Sequence, residues 1–483
     1  MRLAVVQRIL GMLMMIFSIT MLPPMAVSVY FNDGALHAFQ QAFGITLVSG
    51  FIVWFPVRKR LEELRLRDGF LIVAAFWFGL GSVGALPFLF ITAPSLSFTD
   101  AMFEAMSGLT TTGATVLSGL DYMAQSLLYY RQQLQWLGGM GIIVLAVAVL
   151  PMLGVGGMQL YRAEIAGPVK DSKLTPRITE TAKALWYIYL GMTIACGVAY
   201  YYAGMNAFDA LCHAFSTVAI GGFSTHDASM GYFDNLWINS IAIVFMFIAG
   251  VNFSLHFLAW RGKSLLGYLG DSEFRTYAKG LLGLSAVVIS YLLITHEYDS
   301  LNKTFIDGLF QVVSIATTTG FTTTDYSAWP GAIPVLLIFS SFIGGCAGST
   351  GGGMKVMRVL LLYRQGVREI KRLVHPNAEV PVKLGGKTVP SRVVEAVWGF
   401  FAVYVVVFAI MMVILLADGI DQVTAFSAIA ATLNNLGPGL GEVAQGFGSI
   451  SDLSKWVCII AMLLGRLEIF TVLVLVSRTF WQD

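Results

Sequence analysis

Four stretches of this chain set one glycine among small, hydroxylated or amide-bearing residues: "GLTTTGAT" at Gly113, "AIGGFSTHD" at Gly222, "TTTGFT" at Gly320 and "ATLNNLGPGLG" at Gly437. The chemistry such residues can supply is main-chain oxygen. Glycine reaches positive φ and lets successive carbonyls point one way. The β-branched threonines favour extended backbone, with hydroxyls bonding behind it. A ring of carbonyl oxygens can then replace a cation's hydration shell. The residues that would present it are Thr111, Thr112 and Gly113; Ile220, Gly221 and Gly222; Thr318, Thr319 and Gly320; and Asn435, Leu436 and Gly437. One Thr-Thr-Thr-Gly run alone reads as a polar turn. Four aligned glycine turns, two of them Thr-Thr-Thr-Gly, do not.

The alignment extends upstream. Thirteen residues before each glycine stand Asp100, Asp209, Asp307 and Thr424, and six before stand Ser107, Ser216, Ser314 and Ala431. The glycines are 109, 98 and 117 residues apart, so a unit of roughly 100 residues recurs four times. Each unit reads as helix, short re-entrant helix, glycine turn, helix. Two crossings return the chain to the same side, so the units run parallel about an axis along the membrane normal. The short helices aim their negative ends at the turns. Asp100, Asp209 and Asp307 are expected at the outward starts of those helices as caps, direct ion contact being the other reading.

These elements need a bilayer. The chain has 483 residues, 57% hydrophobic and 12% charged, against about 25% charged in soluble domains. Ten apolar windows approach the ~20 residues that cross hydrocarbon: 9–30, 38–57, 70–93, 132–153, 184–203, 237–260, 278–295, 331–363, 393–417 and 456–477. The expected fold is an all-α integral membrane protein of ten transmembrane helices. A two-helix domain (1–68) precedes pore repeats at 69–161, 162–264, 265–388 and 389–483. The four cysteines have no paired spacing and the six histidines no HExxH pattern, which argues against a zinc site.

Of 30 Lys and Arg, 24 fall in alternate connections, and only Arg131, Lys303 and Lys455 in the opposite set. That asymmetry puts both termini in the cytoplasm. The outer segments hold 15 acidic residues, Glu104, Asp121 and Asp227 among them. They either concentrate cations at the mouth or follow from the topological exclusion of Lys and Arg.

Two features interrupt the spans. The eighth is broken by Gly344, Gly345, Cys346, Ala347, Gly348, Ser349, Thr350, Gly351, Gly352 and Gly353. Glycine costs a helix about 0.8–1 kcal/mol per residue, and a break in a bilayer must line a cavity or be covered by protein. The expectation is a mobile gate beneath the filter; the alternative is a static kink for close packing. In the last span, Arg466 must face water or a partner. It reads as an electrostatic barrier in the pathway or as one half of a pair with Glu468.

Together these motifs, with "SSFIGGCAGSTGGGMKV" and "LGRLEIFTVLVL", resemble the Trk/Ktr/HKT superfamily of potassium transporters, most closely its bacterial TrkH/TrkG type. The resemblance covers nearly the whole chain. It implies K+ as the transported ion with Rb+ accepted, because Gly113 stands where Na+-conducting members carry serine. It implies gating by the glycine loop, and a homodimer in the bacterial inner membrane. The dimer would sit on a cytoplasmic ring of nucleotide-binding (NAD/ATP) regulatory subunits of the TrkA type. The chain has no GxGxxG-bearing βαβ unit of its own, and the lipid bilayer is the other partner; no nucleic acid is expected. The leading function is gated K+ permeation without enzymatic chemistry. The alternative is a symporter coupling K+ to H+ or Na+, for which Glu468 is the midplane acid.

Overall fold

A computed structural model describes residues 3–60, 66–141, 178–262, 264–467 and 469–482. Among these, helices dominate. The one sheet among the described residues is a two-stranded antiparallel hairpin, Lys383–Leu384 against Lys387–Thr388, turned by Gly385 and Gly386 at φ 52 and 81.

Six described helical segments are long and apolar enough to cross a membrane: Leu3–Phe31, Leu36–Val57, Asp68–Phe90, Lys183–Tyr202, Ser272–Ile294 and Ser391–Ala417. They correspond to six of the ten sequence windows. Three other windows are broken. The window 237–260 is Leu236–Ala249 followed by Phe253–Gly262, bent by 93°. The window 331–363 splits into Ile333–Ser341 and Val356–Val374, and 456–477 into Asp452–Arg466 and Ile469–Val476. Of the window 132–153, the described part continues Gln125–Gly139, and 142–153 lies outside the described residues. The expected boundary at 161–162 lies outside them too.

The N-terminal pair shows how glycine sets helix spacing. A Cβ on Gly11 would meet Trp54 N at 2.6 Å and Gly50 O at 2.7 Å, and one on Gly50 would meet Gly11 O at 2.9 Å. Such small-residue contacts let helices approach where no hydrophobic gradient separates protein from lipid. The long helices turn apolar side chains outward, including Ile294, Val406, Ile410 and Val413, as a lipid-facing surface requires.

Inside lie four short helices, Phe98–Leu109, Ala207–Ala219, Leu301–Ala316 and Gln422–Leu433. The first is buried from Ala101 onward and the second from Cys212 onward. Their caps correct the sequence expectation. Ser97, Asn206 and Asp421 are the side chains that cap, accepting from Asp100 N, Asp209 N, and Val423 N with Thr424 N. Asp100 and Asp209 stand in the first turn, three residues past the cap, and Asp307 stands further in, seven residues past Ser300. These carboxylates reach elsewhere: Asp100 to Lys455 Nζ at 2.7 Å, Asp209 to Thr225 Oγ1 at 2.7 Å, and Asp307 to Thr323 Oγ1 at 2.9 Å. Asp209 and Asp307 therefore tie their short helices to the segment leaving the same turn.

Candidate cation-binding site

Each short helix ends at its glycine turn with the same backbone device. The residue two before the glycine is left-handed: Thr111, Ile220, Thr318 and Asn435 have φ 56, 54, 68 and 54. The glycines follow at φ 80, 79, 83 and 103 for Gly113, Gly222, Gly320 and Gly437. The residue between them returns to negative φ, an alternation that turns successive carbonyls to one side. Asparagine tolerates the left-handed region; threonine and isoleucine there are genuine outliers. Such strain, about 1–3 kcal/mol per residue, persists where the surroundings over-determine it, typically at functional sites.

One repeated bond does much of the over-determining. Thr112 N donates to Ser107 O at 2.9 Å, Gly221 N to Ser216 O at 2.8 Å, Thr319 N to Ser314 O at 2.7 Å, and Leu436 N to Ala431 O at 2.7 Å. The serine alignment seen in the sequence is thus an alignment of accepting carbonyls, which is why alanine serves in the fourth unit. The hydroxyls bond behind the strands: Thr110 to Met106 O at 2.6 Å and Thr112 at 2.8 Å, Thr317 to Val313 O and Thr319 at 2.7 Å each.

The four turns meet in a closed cycle. A Cβ on Gly113 would fall within 3.0 Å of Gly221 O, on Gly222 within 3.0 Å of Thr319 O, on Gly320 within 3.0 Å of Leu436 O, and on Gly437 at 2.7 Å from Thr112 O. Each glycine abuts the carbonyl of the next unit, and the fourth returns to the first. All twelve candidate residues sit in this ring, and among them Thr111, Thr112, Ile220, Thr318, Thr319, Asn435 and Leu436 are buried.

The ring rests on residues that the sequence reading missed. Gln135 Nε2 donates to Gly221 O at 2.6 Å while its Oε1 accepts from Phe223 N at 3.1 Å, and Gln132 Nε2 donates to Phe223 O at 3.1 Å. Arg131, 1% exposed, pairs with Glu104, 0% exposed, at 2.6 Å. The guanidinium also donates to Ser224 O at 3.2 Å and lies 4.1 Å over the Phe223 ring. Glu104 accepts from Thr115 Oγ1 and Val116 N. So Arg131 and Glu104, read from sequence as outer-loop charges, are an interior brace between the first and second turns. The signal was Arg131, Gln132 and Gln135 opening an apolar window, where polar side chains face protein.

Outside the ring, His226 Nδ1 lies 2.5 Å from Asp121 and its Nε2 3.3 Å from Asp209, with the ring stacked on Tyr232 at 3.4 Å. Burial pulls its pKa down, but the bonds and charges of Asp209 and Asp121 outweigh that and hold it above the usual histidine value. A cavity of about 600 Å³ opens beside it, lined by Asp121, Asn206 and Asp209.

The glycine break lies against the helix ends that carry the turns, and its two halves face different ways. Its second half touches the ring: Thr350 Oγ1 donates to Val218 O at 3.1 Å, Gly352 N to Thr318 Oγ1 at 2.7 Å, and Gly353 N to Asn434 O at 3.0 Å. A Cβ on Gly351 would meet Thr317 O at 2.8 Å. The first half turns away towards the bend at 250–252: Cys346 N donates to Gly250 O at 2.8 Å, and Gly348 O accepts from Phe253 N at 3.1 Å. A Cβ on Gly345 would meet Ser349 Oγ at 2.7 Å and Gly250 O at 3.1 Å, and Ala347 N bonds to Glu273. Gly344, Gly348 and Gly353 are left-handed at φ 70, 75 and 72.

Arg466 joins the break to the first unit. It donates to Thr350 O at 3.1 Å, Gly138 O at 2.5 Å, Gly139 O at 3.3 Å and Thr111 Oγ1 at 3.4 Å. Its proposed alternative partner, Glu468, lies outside the described residues, as does the midplane acid of the symporter reading.

Buried helices ending in a closed ring of carbonyl-bearing turns, inside a shell of apolar spanning helices, define a helical membrane transport protein. The chain belongs to the TrkH family of cation transport proteins, whose sequence model matches residues 35–483; this is a transport family, not an enzymatic one. It is 59% identical over 478 residues to the Trk system potassium uptake protein TrkH of Vibrio parahaemolyticus, covering 99% of each chain. Identity is 55% to TrkH of Escherichia coli K12 over 478 residues and 42% to TrkG of the same organism over 481, again covering 99% of each. The crystal structure of the potassium transporter TrkH from Vibrio parahaemolyticus superposes with a TM-score of 0.91 at 56% identity, covering 100% of both chains.

Proposed function

We propose that this chain is the gated K+-permeating subunit of a potassium uptake system, accepting Rb+ as well. In this reading ten crossings, two N-terminal and four pairs around re-entrant pore helices, enclose one pathway. Carbonyls of residues 111–113, 220–222, 318–320 and 435–437 strip water from the ion. The glycine loop 344–353 and Arg466 close the path beneath them. The negative ends of the four pore helices favour a cation there. The protein works in the bacterial inner membrane with both termini cytoplasmic, as a homodimer controlled by a nucleotide-binding ring subunit.

The observation that carries this reading is the ring closure, in which each filter glycine leaves no room for a side chain before the next unit's carbonyl. The relatives named as potassium uptake proteins support the choice of ion. The test is Rb+ uptake by purified protein in liposomes. K+ should compete strongly and Na+ weakly, and uptake should follow the K+ gradient at clamped voltage with a proton uncoupler present. Uptake that collapses with the uncoupler would instead favour the symporter.

A further inference from the structure

The glycine break is tied to the chain just beyond it by one side chain that neither the motifs nor the ring accounts for. Glu273, in the first turn of Ser272–Ile294, is 3% exposed. A single carboxylate oxygen, Oε1, accepts from Ala347 N at 2.7 Å, inside the break, and from Met357 N at 3.1 Å, just beyond it. Three further bonds of this half of the break run backbone to backbone: Cys346 N to Gly250 O, Phe253 N to Gly348 O, and Val356 N to Gly345 O. One side-chain oxygen that accepts two amide protons in a buried site ties two parts of the backbone at a single point. Burial of this polar group without those amides would be costly, so the Glu273 side chain and the folded-back break stabilise each other.

The position of Glu273 matters as much as its bonds. The helix that carries it starts directly after the short segment Leu266–Gly270 and is capped by Asp271, whose side chain accepts from Phe274 N at 2.7 Å. Arg275 and Lys279 follow on the same helix, in the basic connection that charge asymmetry assigns to the cytoplasm. Displacing that connection pulls on Glu273, and Glu273 pulls on Ala347 inside the break and on Met357 just beyond it.

We propose that Glu273 is the positioning residue that latches the glycine loop in its closed arrangement and links it to the cytoplasmic connection before Ser272. This rests on the gate reading above and adds to it the element that holds the gate.

The chain carries its own reporter. Cys346, next to Ala347, is 2% exposed, and Cys196, Cys212 and Cys458 are buried as well. The full-length protein in liposomes is treated with a maleimide and each cysteine's labelling followed by peptide mass spectrometry, with Rb+ flux measured in parallel. In Glu273→Ala, Cys346 should label at least about ten-fold faster, the scale of losing two buried hydrogen bonds, while the other three cysteines stay protected and flux rises. Unchanged Cys346 labelling overturns the latch, as does higher flux without faster labelling. Faster labelling with unchanged flux keeps the latch and overturns the gate. If Glu273→Ala exposes all four cysteines, Glu273→Asp decides. Its shorter side chain cannot reach both amides, so Cys346 alone should label faster, and either no change or exposure of all four overturns the proposal.

Discussion

Replacing Gly113 with serine tests the ring at one joint. Gly113 sits at φ 80, where a non-glycine residue costs about 1–2 kcal/mol. Its new Cβ would fall within 3.0 Å of Gly221 O, so that carbonyl must retreat by on the order of 1 Å to reach ordinary contact. The carbonyl is not free to do so, because Gln135 Nε2 holds it at 2.6 Å. The ring must therefore deform on the side shared by the first and second units, and one ion ligand is weakened or lost. If that ligand contributes on the scale of a hydrogen bond to a charged group, about 1.5–3 kcal/mol, selectivity for K+ over Na+ falls roughly ten- to a hundredfold. The assay is uptake of labelled Rb+ into proteoliposomes with K+ or Na+ as competitor. Gly119→Ser is the control: Gly119 has nearly the same φ, 75, and a Cβ there would meet nothing within 4 Å. It should bear the same backbone penalty and keep its selectivity. A Gly113→Ser protein that discriminates within about two-fold of wild type, or a Gly119→Ser protein that loses as much, would refute the reasoning, since crowding of Gly221 O would then not control selectivity.

Arg466→Ala should raise Rb+ flux, because it removes the bonds that tie Thr350 to Gly138 and Gly139; unchanged flux in folded protein removes the barrier role. Glu104→Gln should destabilise the protein by about 3–5 kcal/mol, leaving Arg131 buried without its counter-charge, and Glu104→Gln with Arg131→Met should recover much of that in a thermal melt. For His226 the folded pKa is raised, so the stabilisation it gives is fully present below its ordinary value near 6.5 and is lost as pH rises through the folded value. Thermal stability should fall across that window, and His226→Asn should flatten the profile; a parallel decline in both proteins contradicts the assignment.

The legible part of the architecture was what repeats. Glycines at 113, 222, 320 and 437 could be aligned because close approach of the next unit's carbonyl excludes any Cβ, a constraint that acts on residue type. The six long spans were legible because lipid demands an unbroken apolar stretch. Contacts made by main chain were not. The left-handed residue before each glycine is Thr, Ile, Thr or Asn, so nothing in residue type announces the shared φ. The glycines announced the break at 344–353, but the bend at 250–252 was hidden, because it lies within an apolar run whose hydropathy is that of one helix. Charges misled in both directions. Glu104 and Arg131 read as mouth charges because partners 27 residues apart carry no local signature, and Asp307 read as a cap because the repeat alignment does not say where its helix begins.

Anomalous diffraction from crystals grown in Rb+ tests the central claim most directly. The account predicts a peak on the axis of the ring, within coordinating distance of main-chain oxygens from all four segments around Gly113, Gly222, Gly320 and Gly437. Rb+ density confined to the acidic residues around Asp121 and Asp209, with the ring axis empty, would contradict it.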